Sequence, residues 1–271
     1  MKRALAVAVL LWPTLPPPGL AQEASGLPLS GEAAETFLET AEVVHKKALS
    51  LGVTHSDQYT LSDGTRTCKA VWKTIDEFKR GVTSLEGGGV IVDFADSWKH
   101  EVAAYELDKL IGLGLVPPTV ERRFGHTSGS LQMWVEGAMT ESDRKQKKLA
   151  PPDPRAWNEQ MYRVRLLHQL TYNTDYRNIR NVLIDTSFRV YAIDSSRAFA
   201  VYADVRSEKE LLRFPRAVLE AMKALDRPML HEKLGRWLGG PQIDTLLKRR
   251  DKILALAQRR VQEQGEVAVL F

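Results

Sequence analysis

Between Asn173 and Asp194 the chain reads NTDYRNIRNVLIDTSFRVYAID. Two short apolar runs, Val182 to Ile184 and Val190 to Ile193, flank the polar stretch Asp185 to Arg189. This is a strand-turn-strand pattern. A hairpin folds back on itself, so Asn181, just before the first run, and Asp194, just after the second, are expected at the same end. Asp175 precedes them in a polar loop that follows a long helical pattern. One free carboxylate, one amide and a second carboxylate are thereby confined to one small region.

That set of groups suits phosphoryl transfer from a nucleoside triphosphate. One carboxylate orients an acceptor hydroxyl, while an Asn and a second carboxylate hold a divalent cation against the phosphates. Oxygen donors of this kind select Mg²⁺ or Mn²⁺. Lys73 closes the apolar strand of AVWKTID, where an ammonium on a buried stem can reach phosphate oxygens. It needs a carboxylate partner, and Glu101, near the start of the following helix, is the candidate. Glu106 falls on a different face. Arg177 is positioned to neutralise transferring phosphate charge, or else to make a structural ion pair. Gly52, in SLGVT between the first two strands, would let backbone N–H groups approach phosphates, or is simply a loop turn. Trp134 sits where a nucleotide base can pack.

The start of the chain predicts export. Lys2 and Arg3 precede the apolar run Ala4 to Trp12, Pro13 to Pro18 break it, and Gly19-Leu20-Ala21 offers a small-residue cleavage site. Residues 1–21 read as a secretory signal peptide, giving a periplasmic or extracellular protein with no transmembrane span in the mature chain. Without Lys2 and Arg3, the 38 basic and 34 acidic residues become 36 and 34. That balance excludes a nucleic-acid footprint, which needs a clustered basic excess. Cys68 is the only cysteine, so no intramolecular disulfide forms, and its apolar neighbours mark it as a packed residue. The six histidines show no metal spacing, and Ser195-Ser196 beside Asp194 lacks a neighbouring His that would make a hydrolase nucleophile.

Periodicity predicts a leader and short helix over 22–40. Strands follow at 41–49, 57–61 and 67–74, with Asp63-Gly64 as the turn of a hairpin. Residues 75–96 read as an irregular insertion loop. A helix runs from Asp96 or Ser97 to about Leu113, then strands at 119–124 and 131–135 are joined by the turn 125–129. The order β-β-β-α-β-β makes a small antiparallel sheet with one helix against it, over 41–137. Residues 138–271 form a second lobe, with a solvated polar stretch at 138–153 and helices at 154–172, 207–225, 228–237 and 241–262.

The motifs AVWKTID, HEVAAYELDKLIGLGLVPPTVERR, SLQMWVEGA, NTDYRNIRN and YAIDSSRAF together resemble the protein-kinase-like superfamily. The resemblance is to the branch of phosphatidylinositol 3/4-kinase-like proteins, HipA-type kinases and secretory-pathway casein-kinase-like enzymes. It implies an α+β, two-lobed fold with ATP and Mg²⁺ or Mn²⁺ between the lobes, and a hydroxyl-bearing acceptor. It also implies that Lys73 binds phosphates with Glu101 as its partner, and that 132–136 (Gln132, Trp134 and Val135 among them) line the adenine. Asp175 becomes the catalytic carboxylate, and Asn181 and Asp194 the metal ligands. Two departures stand out. Asn181 follows Asp175 by six residues rather than five, so the loop bulges or Asn178 takes the metal role. Ser195-Ser196 replaces the Phe-Gly of ordinary protein kinases. A pseudokinase, binding nucleotide or a partner without turnover, is the alternative on the same residues, and a purely structural or interaction protein is a third.

Overall fold

The computed structural model describes residues 26–49, 56–84 and 90–271. The expected signal peptide at 1–21 and Gly52 lie outside the described residues. Helix α1 (Gly31–Thr40) leads into β1 (Glu42–Leu49), β2 (Ser56–Ser62) and β3 (Thr67–Lys73). The chain continues through β4 (Asp76–Ser84), β5 (Val90–Ser97), helix α2 (Trp98–Ile111), β6 (Thr119–Phe124) and β7 (Thr127–Met133). Strands 1, 2, 3, 7 and 6 form one antiparallel sheet in that order. The Asp63-Gly64 turn forms as expected: Gly64 has φ 85°, and Asp63 Oδ1 accepts from Thr65 N and Arg66 N.

The structure corrects the reading of 75–96 as an irregular loop. β4 and β5 pair as an antiparallel ribbon of their own. The ribbon hid from the alternation test because it carries a bulge, where Gly81 (φ 81°) and Asp93 (φ 57°) break the two-residue period. Asp93 Oδ1 accepts from Gly81 N at 2.9 Å. Phe78, Val82, Val90 and Val92 stand exposed on this ribbon. The order in the first half is therefore β-β-β-β-β-α-β-β. The expected turn at 125–129 is also shorter. Phe124 pairs directly with Thr127, so Thr127, Ser128 and Gly129 belong to β7.

Helix α2 is capped by the Ser97 hydroxyl, which accepts from Lys99 N, and closes at Gly112 in the left-handed conformation (φ 68°). Beyond it the buried Asp108 carboxylate accepts from the backbone N–H groups of Gly114, Leu115 and Val116. The helix rests on β6 and β7. Its buried Ala103, Leu107 and Ile111, however, join the core of the second half. The first core is made instead by Phe37 and Leu38 of α1 with Tyr59, Leu61, Trp72, Val120, Leu131 and Met133. One helix thus lies between the sheet and the core of the second half.

The second half begins with β8 (Met139–Thr140) and α3 (Glu141–Gln146), so the polar stretch 138–153 is more ordered than expected. A full capping box between Thr140 and Asp143 explains α3. Helix α4 (Pro154–Leu170) starts on an Asp153 cap with Pro at its first turn. Strands β9 (Val182–Ile184) and β10 (Val190–Ala192) form the hairpin read from the sequence, with β8 on its edge. Helices α5 (Arg216–Ala224), α6 (Arg227–Leu234), α7 (Gly240–Gln264) and α8 (Glu266–Val269) complete the chain. The helix expected over 207–225 is reduced to α5 by Pro215, which has no N–H to continue an earlier turn. Among the described residues no helix is long and apolar enough to cross a membrane.

Gly129 shows how tightly β7 meets β3. A Cβ there would lie 2.3 Å from the Lys73 carbonyl oxygen and 2.8 Å from the Trp72 ring, closer than any real contact. Gly129→Ala is expected to destabilise the protein by about 2 kcal/mol through overpacking. A thermal melt of the variant against wild type checks this.

Candidate active site

Lys73 ends β3 and its ammonium is nearly buried. Nζ donates to Glu101 Oε1 at 2.6 Å and to Asp194 Oδ1 at 2.7 Å. Glu101 faces inward from the first turn of α2 and is 2% exposed, whereas Glu106 lies on the outer face with Lys109. Burial alone would pull the Lys73 pKa down. The two carboxylates outweigh it and hold the ammonium well above its ordinary value. Burial likewise pushes the Asp194 carboxyl up, but Lys73 beside it wins and holds it below the usual range. Asp194 itself has φ 59°, a left-handed conformation that Asp tolerates better than most residues.

The backbone after Asp194 is tied on both sides. Ser195 N donates to Glu101 Oε2 at 2.9 Å. The Ser196 carbonyl accepts from Ser97 N at 2.9 Å and lies 2.8 Å from His100 Nδ1. Thr174 N donates to the Arg197 carbonyl at 3.1 Å, and Ile193 N to the Asn181 carbonyl at 2.9 Å. Helix α2 and the 174–181 loop are therefore laced together through residues 193–197.

The loop explains the six-residue spacing. Asn178 N bonds the Asp175 carbonyl, and Asn181 N bonds the Asn178 carbonyl, 2.9 and 3.0 Å. The second of these turns is a short 3-10 segment, Ile179–Asn181. Two tight turns in succession absorb the extra residue, so both Asn178 and Asn181 donate through Nδ2 to Asp175 Oδ2, each at 3.0 Å. The Asn178 amide oxygen is taken by Arg180 N. No donor among the described residues is bonded to the Asn181 amide oxygen, nor to Asp175 Oδ1.

Other expected residues fall elsewhere. Arg177 is exposed, with its guanidinium 5.2 Å from the Tyr176 ring centroid, and the structure does not bring it to the Asp175 carboxylate. It rims a groove of ≈ 460 Å³ lined also by Arg165, Tyr176 and Leu212. The reason is local: Asp175, Asn178 and Asn181 use the inner side of the two turns, which leaves residue 177 outward. Gln132 is buried and its side-chain amide donates to Thr119 Oγ1 at 2.8 Å, so that side chain is spoken for within the sheet. Trp134 is half-buried and its N–H bonds the Lys69 carbonyl. Glu136 exchanges both backbone hydrogen bonds with Gly26. Val135 is buried and makes no hydrogen bond within the described residues.

The chain as a whole matches solved structures closely enough to place its fold. Over 90% of this chain and 93% of that one, it superposes on the structure of hydra Fam20 with sugar, with a TM-score of 0.63 and 13% identity. The Golgi casein kinase gives a TM-score of 0.62 and 15% identity, covering 88% of this chain and 78% of the kinase. The fold is protein-kinase-like. No protein-family model matches this chain, and no curated protein matches it in sequence.

Within the kinase-like fold, sequence reasoning passed over two residues beside the cluster. His100 precedes Glu101 on α2. Its Nδ1 faces a carbonyl oxygen, so Nδ1 carries the proton. Its Nε2 lies 3.0 Å from the Gln242 amide nitrogen, whose orientation is set by Gly239 N donating to Gln242 Oε1. The imidazole is therefore neutral, and burial keeps its pKa low. Arg197 stands three residues after Asp194, and its Nε donates to the buried Asp96 at 2.9 Å. Neither had a local signal stronger than its place in the motif.

A second buried imidazole underpins the loop. His168 of α4 is hydrogen-bonded to the backbone of Tyr176, and burial pushes its pKa down to about 4. The unfolded chain, with a His pKa near 6.5, binds the proton first as pH falls. Stability is thus full above about pH 6.5 and is lost as pH drops toward 4, by about 3 kcal/mol from His168 alone. Urea midpoints measured at pH 7.5 and 5 should show this loss, and His168→Gln should flatten it.

Proposed function

We propose that this protein is an exported phosphotransferase that moves the γ-phosphoryl group of ATP to a hydroxyl acceptor. The observation that carries the reading is the Lys73 ammonium held between Glu101 and Asp194, at 2.6 and 2.7 Å, with the Asp175–Asn181 loop bonded to the same strand end. Burying charges carries a desolvation cost even when they are paired, so such a cluster is weak evidence of stability and points instead to binding or chemistry.

The donors fit a nucleotide-borne divalent cation. Asp194 has a second carboxylate oxygen, and Asn181 keeps its amide oxygen clear of protein donors. Both are hard oxygen ligands of the type Mg²⁺ and Mn²⁺ take. Among the described residues no three His, Cys, Asp or Glu side chains cluster so as to hold a metal alone. Phosphate oxygens and water would complete the shell, as is usual for Mg²⁺. When bound, the metal nucleotide supplies the phosphoryl group and the charge that draws electrons toward its leaving oxygen.

The chain's own residues would then divide the work. Lys73 contacts phosphate oxygens, and Glu101 fixes its ammonium. Asp175 keeps Oδ1 for the acceptor proton while Asn178 and Asn181 lock Oδ2, so the carboxylate cannot rotate away. Of the two asparagines, Asn181 is the metal ligand, since the Asn178 oxygen caps the 3-10 segment. Val135, with its unused backbone groups, is the place for the adenine edge, beside Trp134. Export places the enzyme in the periplasm or outside the cell, and the packed Cys68 is consistent with stability that needs no disulfide.

The test uses the mature chain with ATP and either Mg²⁺ or Mn²⁺. A metal-dependent rise in melting temperature is expected for wild type and is lost in Asp194→Ala. Asp175→Ala should keep that rise yet lose ATP consumption and autophosphorylation by roughly 10²- to 10⁴-fold, the usual scale for a general base. Binding with no turnover in wild type would instead make the protein a nucleotide-binding module. No binding with either metal would refute the reading.

A further inference from the structure

Lys73 is balanced by two carboxylates, and Asp175 adds a third beside them. A bound triphosphate would bring still more negative charge than Lys73 and one divalent cation offset, which leaves a role for a second protein cation facing the transferring group. Arg177, the sequence candidate, points outward. Among the described residues, the other cation acting on this cluster is Arg197.

Arg197 is held from several directions. Its backbone carbonyl accepts from both Thr174 N at 3.1 Å and Thr174 Oγ1 at 3.2 Å. Its Nε donates to Asp96 Oδ2 at 2.9 Å, and Asp96 is 1% exposed at the end of β5. The guanidinium carbon lies 5.4 Å from the Phe94 ring centroid, a cation–π contact from the same strand. The stem is thus fixed while the fork is not consumed: neither Nη has a hydrogen-bond partner among the described residues. The side chain remains 32% exposed, and the carboxylates of both Asp175 and Asp194 act on its charge. Two free, coplanar N–H donors suit the oxygens of a phosphoryl group, which a lysine meets only as a point charge. The ribbon that carries Asp96 and Phe94 is itself anchored to the second half, where the Tyr202 hydroxyl accepts from Val92 N and donates to Val92 O, 2.9 and 3.2 Å.

We propose that Arg197 is a further catalytic residue, whose Nη groups hold the γ-phosphoryl group during transfer, and that Asp96 and Phe94 of the β4–β5 ribbon are its positioning residues. This rests on the phosphotransferase reading above. It also gives the ribbon a purpose: it carries the brace for the second cation.

The experiment compares wild type, Arg197→Ala, Arg197→Lys and Arg177→Ala for affinity toward Mn²⁺·ATP and Mn²⁺·ADP by calorimetry, and for ATP turnover. Only ATP presents a γ-phosphoryl group, so Arg197→Ala should lose about tenfold or more of the ATP-over-ADP preference, with turnover down roughly 10²- to 10³-fold. Arg197→Lys should restore only part of either. Arg177→Ala should leave both unchanged. If loss of Arg197 unfolds the protein by stranding the Asp96 charge, the double variant Arg197→Leu/Asp96→Leu removes both charges and should show the same loss of preference. An ATP-over-ADP preference that survives in these variants overturns the role of Arg197 while leaving nucleotide binding intact. A wild-type chain that binds neither nucleotide overturns the phosphotransferase reading, and this role with it.

Discussion

A lysine ammonium held between two carboxylates organises this protein. Lys73, Glu101 and Asp194 come from the end of β3, the first turn of α2 and the residue just past β10. None of them can be taken from water alone without a penalty of several kcal/mol, and each is tolerable only because the others are there. The three elements must therefore arrive together. Removing Lys73 would leave the buried Glu101 carboxylate without its partner, while Asp194 keeps part of its side chain in water.

Helix α2 is the part most constrained by this demand. It supplies Glu101 to the trio, His100 to the Ser196 carbonyl, and an apolar stripe to the core of the second half. Its far end is fastened by Asp108, which takes three backbone N–H groups of the chain leaving the helix. A further tie crosses between the halves, where the Tyr202 hydroxyl and the backbone of Val92 secure the ribbon, while the Gly26–Glu136 bridge fastens the chain after β7 within the first half. Hydrogen bonds to backbone thus join the two halves alongside apolar contact.

Much of the architecture was legible in the sequence, because it follows from local rules. The β9–β10 hairpin announced itself by two apolar runs around a polar turn, and α2 by its Ser97 cap, its apolar stripe and Gly112. The ribbon 76–97 was not legible, since a bulge at Gly81 and Asp93 destroys the two-residue alternation that marks a strand. Gly129 read as a turn residue, yet it lies within β7, where the Lys73 carbonyl leaves no room for a Cβ. The extra residue between Asp175 and Asn181 looked like a defect in the pattern. Two consecutive tight turns absorb it, and a local sequence gives little warning of such compensation.

The amino-acid sequence by itself determined which chemical groups are present and which short segments become helices and strands, because those depend on neighbours within a few positions. It also brought Asn181 and Asp194 to one end, since a hairpin is a local structure. Only the tertiary structure decided which charges meet. Arg177, two residues from Asp175, faces away because the turns put its side chain outside, whereas Arg197 faces the cluster because Asp96, about a hundred positions earlier, holds it there. Electrostatic partnership depends on distance in space, and in a chain that folds back on itself that distance has little to do with separation along the sequence.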